Sequence, residues 1–481
     1  MQQVELKNSC LYLIFSIFLL ASHLSLAGEI KSTVDDQQEI SLTVYNQNFA
    51  LIRDVRKVHI NKGQNTLAMR EVSALIRPET AMLNNLTHSD SLMLIEQNFD
   101  YDLLTPQHLL QKYVGKQVRV IKSHPTTGAE HEVEATVLSA NNGVVLKIGN
   151  RIETGVTGRL VYDKVPDNLR DRPTLSIVVD NDESGPQLLE LSYLSGGLSW
   201  QADYVAKLSQ DEKHLDINGW VTLRNESGAS YRNAQLQLVA GDVNRVTDPQ
   251  LLHSDMLVME SRSAKQHMQE EALFEYHLYT LGHKTDVLQN QTKQLALLSA
   301  DEIPVKKEYL LQGQPNYYYK QENTITDKQK VGVFVEFENK TSNHLGMPLP
   351  KGIVRVYKDD QSSSAQFIGE DQIDHTPKGE SVRLKLGDAF DVTATRKQTM
   401  YEKKASFGKY SYSAVSGYEI EIHNAKDEDI VVRVLEPVPG DWEMQKSSLP
   451  YNKASAHLAE WNIKVPGGEH VALEYEVLVR Y

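Results

Sequence analysis

Two pairs of side chains in this sequence could exchange protons. The run Phe274-Glu-Tyr-His-Leu-Tyr-Thr280 alternates. As a strand it would place Phe274, Tyr276 and Leu278 inward, with Glu275, His277 and Tyr279 on the other face. Glu275 and His277 would then be close enough to pair, and a His beside a carboxylate can act as acid or base near neutral pH. The second pair is Asp374 and His375. It lies in Gly369-Glu-Asp-Gln-Ile-Asp-His-Thr-Pro-Lys-Gly379, which packs Glu370, Asp371, Asp374 and His375 into six positions. These are oxygen and imidazole donors of the kind metals use. The regular acidic spacing of a calcium loop is not met, and Thr376-Pro-Lys-Gly379 has the chemistry of a tight turn. No nucleophile or third ligand is evident near Glu275 and His277. A surface hydrogen bond and a charged hairpin tip are therefore the simpler readings, and no cofactor or metal is expected.

Other catalytic signatures are missing. There is no Gly-rich phosphate loop of either common type. Ser195-Gly-Gly-Leu-Ser199 has the wrong order for a nucleophile elbow. Ser406-Phe-Gly-Lys409 fits S-x-x-K, but the motifs that should accompany it are absent. His131-Glu132 begins a zinc-protease motif, but position 135 is Ala. Trp200-Gln-Ala-Asp-Tyr204 puts Trp200, Ala202 and Tyr204 on one face of a strand, where aromatic rings pack a core.

The elements that must position these groups are strands. Period-2 alternation recurs along most of the chain, as in Ile40-Ser-Leu-Thr-Val44, Val431-Val-Arg-Val-Leu435 and the run at 471–479. One short helix is marked by Thr105 as cap, Pro106 at its first position and Gly115 at its end. The short strands and turn signals of 116–165 suit a small barrel or a curled sheet. A pattern apolar-x-apolar-x-Asn occurs three times, ending at Asn225, Asn339 and Asn424, each followed by a polar turn and another apolar strand. Asn can bond its own following backbone and so end a strand. The repeat predicts sandwich-like β domains.

The fold expected is mostly β with few short helices. It divides into a signal peptide at 1–27, an N-terminal β domain at 28–100, and a short helix plus small β-barrel at 101–168. A β domain at 169–329 follows, with an irregular insertion at 246–272, and then a C-terminal β-sandwich at 330–481. The insertion reads as a mobile loop, or alternatively as a Met-rich segment for a partner.

The first 27 residues have the form of a secretory address: Lys7, an apolar run at 11–26, and small residues around Ala27. The single cysteine, Cys10, falls inside it. The product after cleavage would hold 481 − 27 = 454 residues and no thiol. It would not span a membrane, because no later apolar run is long enough. A periplasmic or secreted protein is expected. The chain carries 50 basic and 64 acidic side chains, a net charge of −14. That balance speaks against sequence-independent nucleic-acid binding.

Some of these residues are also familiar as a set. Leu194-Ser-Gly-Gly-Leu-Ser-Trp200 with Tyr204, the run Pro350-Lys-Gly-Ile-Val-Arg-Val-Tyr-Lys-Asp-Asp360, the stretch from Gly369 to Asp391, and Glu436-Pro-Val-Pro-Gly440 with Trp461 resemble the bacterial domain of unknown function 4139. Its neighbours are mucoidy-inhibitor-A-like proteins. Residues 41–80 look like the N-terminal region of the same proteins. The resemblance implies an exported bacterial β protein and brings no catalytic residue or cofactor. A non-enzymatic binding or scaffolding protein is the leading expectation, its partner another envelope protein or polymer. The alternative is an acid–base hydrolase using Glu275 and His277, or Asp374 and His375.

Overall fold

The computed structural model describes residues 29–155, 158–166, 169–244, 268–321, 327–405 and 409–481. Residues 1–28, including Cys10 and the expected signal peptide, and most of the 246–272 insertion lie outside the described residues.

The chain is mostly β. Among the described residues the one α-helix is Pro106–Lys112, where the Thr105 hydroxyl accepts the His108 N–H at 3.1 Å. Of the two forms expected at 116–165, the closed barrel is corrected and an open sheet is found. Five strands there form an open sheet in the order Arg151–Thr154, Val145–Ile148, Glu130–Ser139, Gln117–Ser123, Arg159–Val161, and its two edge strands do not pair. A barrel hides its inner face by closing; here Leu110 and Tyr113, from the helix and its end, pack on Val118, Val120, Ala135, Val137 and Leu146. The helix covers that face, so closure is not required.

The described residues form two compact units: one of 29–40 with 52–194, the other of 41–51 with the described part of 195–481. The first holds the open sheet and a four-stranded sheet in the order Ile30–Ser32, Gly63–Arg70, Thr174–Asn181, Leu92–Asp100. Its buried Arg56 is satisfied by Asp54 at 2.7 Å and by the Ser32 carbonyl at 3.0 Å.

The second unit contains two sandwich-like parts. In the first part, a five-stranded sheet runs Gln291–Pro304, His214–Asn225, Leu198–Leu208, Gly352–Asp359, Ala365–Ile373. A second layer contains Gln269–Leu273, Tyr276–Thr280, Tyr231–Ala240 and residues 41–45, the last two in parallel register with Ser41 opposite Gln235. Trp200 bridges the layers: its indole N–H donates to the Val239 carbonyl at 3.2 Å, and its ring meets Tyr279 edge-on at 6.4 Å. Trp200 and Tyr204 are both buried, as their spacing predicts.

The second part is one nine-stranded sheet. Its second strand is His470–Arg480 and its eighth is Leu458–Val465. Trp461 of the eighth strand packs on Tyr475 of the second at 5.1 Å, so the sheet folds over a single core. Inside that core Arg396 is paired with Glu436, and both are almost wholly buried. Tyr318 donates to the Glu436 carboxylate at 2.8 Å and lies 2.9 Å from the Tyr475 hydroxyl. The guanidinium also faces the rings of Tyr317 and Tyr418. Gly313 is required beside it, because a Cβ there would run into the Glu436 carboxyl group.

The three repeated asparagines are all fully buried corner residues. The Asn225 amide donates to Ala229 and Val287 carbonyls and accepts from Ser227. The Asn424 amide donates to Glu428, Val465 and Pro466 carbonyls and accepts from the Lys426 N–H. Both close the turn onto their own i+2 and i+4 backbone and pin a third segment. Asn339 serves a longer turn, accepting from Gly346 and donating to the Met347 and Pro377 carbonyls. In each case the corner releases the chain from one strand to a strand that is not its neighbour.

Candidate functional site

A cleft of about 340 Å³ opens at the first sandwich of the second unit. Its lining comes from five separate places in the chain. Trp200, Gln201 and Ala202 lie on the strand Leu198–Leu208; Asn46 and Gln47 follow the segment at 41–45; Asp242 follows Tyr231–Ala240. Lys351 and Gly352 open the strand Gly352–Asp359, while Gln372 and His375 lie at the end of Ala365–Ile373. Four neutral amides, one acid, one imidazole and one ammonium therefore share the same space.

Local bonding explains why His375 faces this cleft. Leu349 and Thr376 exchange both backbone hydrogen bonds, at 2.8 and 2.9 Å. Tyr204 and Tyr279 donate to the carbonyls of Pro350 and Pro348 and hold the facing segment from beneath. Gly352 lies opposite Ala202 in a parallel pair, and a Cβ at 352 would collide with the Ala202 carbonyl.

His375 accepts the Lys351 backbone N–H at Nδ1, 3.2 Å away. In the neutral ring the proton must then sit on Nε2. Nε2 lies 3.5 Å from the Asn46 amide, whose oxygen has no partner among the described residues. Turning that amide so that oxygen faces Nε2–H gives the ring an acceptor. Burial lowers the His375 pKa from its ordinary value; Lys351 and His277 push the same way, and Asp242 and Asp374 oppose them. The folded protein thus holds this proton less readily than the unfolded chain does. The resulting stability is present above about pH 6.5 and is lost as pH falls through the folded midpoint. An NMR titration of the imidazole Cε1 proton should place its midpoint below 6.5, and His375→Gln should remove that resonance.

The predicted pairs are only partly assembled. Glu275 does not meet His277 as a strand partner. Phe274 has φ 57°, and Phe274 and Glu275 form the turn between Gln269–Leu273 and Tyr276–Thr280. Phe274, expected inward, is 88% exposed. His277 pairs instead with Glu270 across the hairpin, at 2.8 Å. Asp374 points to solvent, 4.0 Å from the Lys351 ammonium. Glu370 pairs with Arg355 at 3.2 Å, and Asp371 accepts the Lys385 N–H at 2.7 Å. Those two acids are therefore hairpin fixtures. His375 alone of the four candidates lines the cleft. Asp242, Asn46, Gln47, Lys351 and Gln372 were not singled out as a site from the sequence.

The family model described as a domain of unknown function (DUF4139) matches residues 189–481, more than half of the chain. The chain belongs to this family. The DUF4139 region supplies every lining residue of the cleft except Asn46 and Gln47, which come from a segment far upstream. It also holds Trp200, Tyr204 and the three corner asparagines. No curated protein matches the chain. Among the described residues no helix is long and apolar enough to cross a membrane.

Proposed function

We propose that this DUF4139 protein is an exported, non-enzymatic binding protein of the cell envelope, periplasmic or secreted, and that its cleft takes a small polar ligand. The supporting observation is the convergence of Asn46, Gln47, Gln201 and Gln372 on one cleft beside Asp242 and His375. Neutral amides both donate and accept, so such a set suits a ligand rich in hydroxyl or amide groups. The described lining offers no Ser, Thr, Tyr or Cys, so no hydroxyl or thiol nucleophile stands beside His375 there. The form of residues 1–27 supports export.

Thermal shift and calorimetry with disaccharides, N-acetylated amino sugars and dipeptides test the binding half. One class should raise the melting temperature of the protein and fail to do so for Asp242→Ala. Failure of all three classes to bind at millimolar concentration would overturn it. Amino-terminal sequencing of the protein recovered from a fractionated bacterial host tests export, with Gly28 as the expected first residue. The acid–base alternative is favoured by Asp242 beside His375. It replaces the binding reading if a bound ligand is turned over and His375→Gln abolishes turnover while leaving binding intact.

A further inference from the structure

We infer that Glu421, His423 and His470 form a surface site for one divalent transition-metal ion of the zinc class. Nothing in the cleft depends on it. His423 and His470 are direct partners on the antiparallel strands Tyr412–Asn424 and His470–Arg480. Their rings stack at 5.0 Å with planes 24° apart. Glu421 lies two residues before His423, on the same face of the strand. One of its carboxylate oxygens is 3.9 Å from the Nε2 of His423 and 3.6 Å from the Nε2 of His470. The three ligand atoms fall within 4.8 Å of one another.

The chemistry of the set decides the ion. Two imidazoles and one carboxylate suit zinc, copper or nickel, whereas calcium and magnesium take oxygen ligands almost exclusively. Zinc holds nitrogen and oxygen ligands at about 2.0–2.2 Å in a tetrahedron. Ligand atoms around such an ion stand roughly 3.3–3.6 Å apart by that geometry. The carboxylate-to-imidazole distances are already near this value, and the exposed His423 and His470 rings need only a small rotation to close on the ion. The fourth position faces water, as in sites that keep one coordination place open.

The backbone beneath the site is fixed. The two strands pair without a break from Ser413 opposite Arg480 to His423 opposite His470. The next residue is Asn424, whose N–H donates to the Glu469 carbonyl at 2.9 Å and whose buried side chain ties down three further carbonyls. A rung anchored in this way presents its ligands without a costly ordering step. Glu421 is not committed elsewhere: its ion pairs among the described residues are with these two imidazoles.

The test uses full-length protein with any purification tag removed and metal stripped by chelator. Competition with a chromophoric chelator should show one zinc ion bound at micromolar or tighter affinity, with a rise in melting temperature. His423→Ala and His470→Ala should each weaken binding at least tenfold, and the double variant should lose it. His457→Ala, on an exposed turn outside the site, should bind as wild type does. Cobalt should give the absorption spectrum of a four-coordinate site, absent from the double variant. Equal zinc affinity in wild type and double variant, with both showing the same melting temperature in chelator, would overturn the inference.

Discussion

Glu436→Ala should lower the stability of the nine-stranded core by about 3–5 kcal/mol, the cost of stranding one charge of a buried pair. Arg396 and Glu436 are nearly free of solvent contact, and Tyr318 and Tyr475 complete the network. Burial opposes the guanidinium charge, yet Glu436 and the tyrosine hydroxyls outweigh it and hold the Arg396 pKa well above normal. With the carboxylate gone, only the tyrosine hydroxyls and rings remain, and no opposite charge compensates that burial. The pair itself is a different matter. Replacing both partners with apolar residues, as in Arg396→Met with Glu436→Leu, removes both desolvation penalties together and should recover much of the loss. Urea unfolding followed by tryptophan fluorescence measures both, since Trp442 and Trp461 lie in this core. A double variant no more stable than Glu436→Ala would show that the two charges do not act as a pair.

Asn424→Asp should cost more than Asn424→Ala, although Asp keeps the shape of the side chain. The Asn424 amide nitrogen faces three carbonyl oxygens. Alanine leaves those groups and the Lys426 N–H short of partners, at about 1–3 kcal/mol for each group that water cannot reach. Aspartate adds a buried negative charge pointing at three partial negative charges. It must either ionise there at high cost or take up a proton. The aspartate variant should therefore regain stability as pH falls toward 4, while the alanine variant should show no such gain relative to wild type. Chemical denaturation at pH 7 and pH 5 separates them. Equal losses for the two variants at both pH values would mean that the amide nitrogen carries no weight.

The asparagine corners were legible because their signal is local: two alternating apolar residues, an Asn and a turn lie together in the chain. The inward packing of Trp200 and Tyr204 was legible for the same reason. Alternation failed at Phe274, where a two-residue turn with no Gly or Asn interrupts what reads as one strand. A bulky residue at positive φ is rare enough that period alone points the other way. That turn separates Glu275 from His277 and hands His277 to Glu270. The cleft was hidden for a different reason. Asn46, Trp200, Asp242, Lys351 and His375 are brought together by tertiary folding, and the Asn46–His375 contact spans 329 residues of chain. The neighbourhood of His423 and His470 depends on register, which alternation within either strand does not reveal.

The hairpin at residues 41–51 has a consequence in time. It belongs with the 195–481 body, and its strand must wait for the parallel partner at 235–239. At synthesis rates of about 5–20 residues per second, that partner emerges roughly 10–40 s later. Until then the hairpin carries an open sheet edge, and the body that will receive it lacks Asn46 and Gln47. A chain cut to the family match at 189–481 would meet that state permanently: an uncovered edge at Tyr231–Ala240 and a cleft missing one wall. Expressing the 189–481 region with its cleft intact therefore requires the 41–51 segment as well.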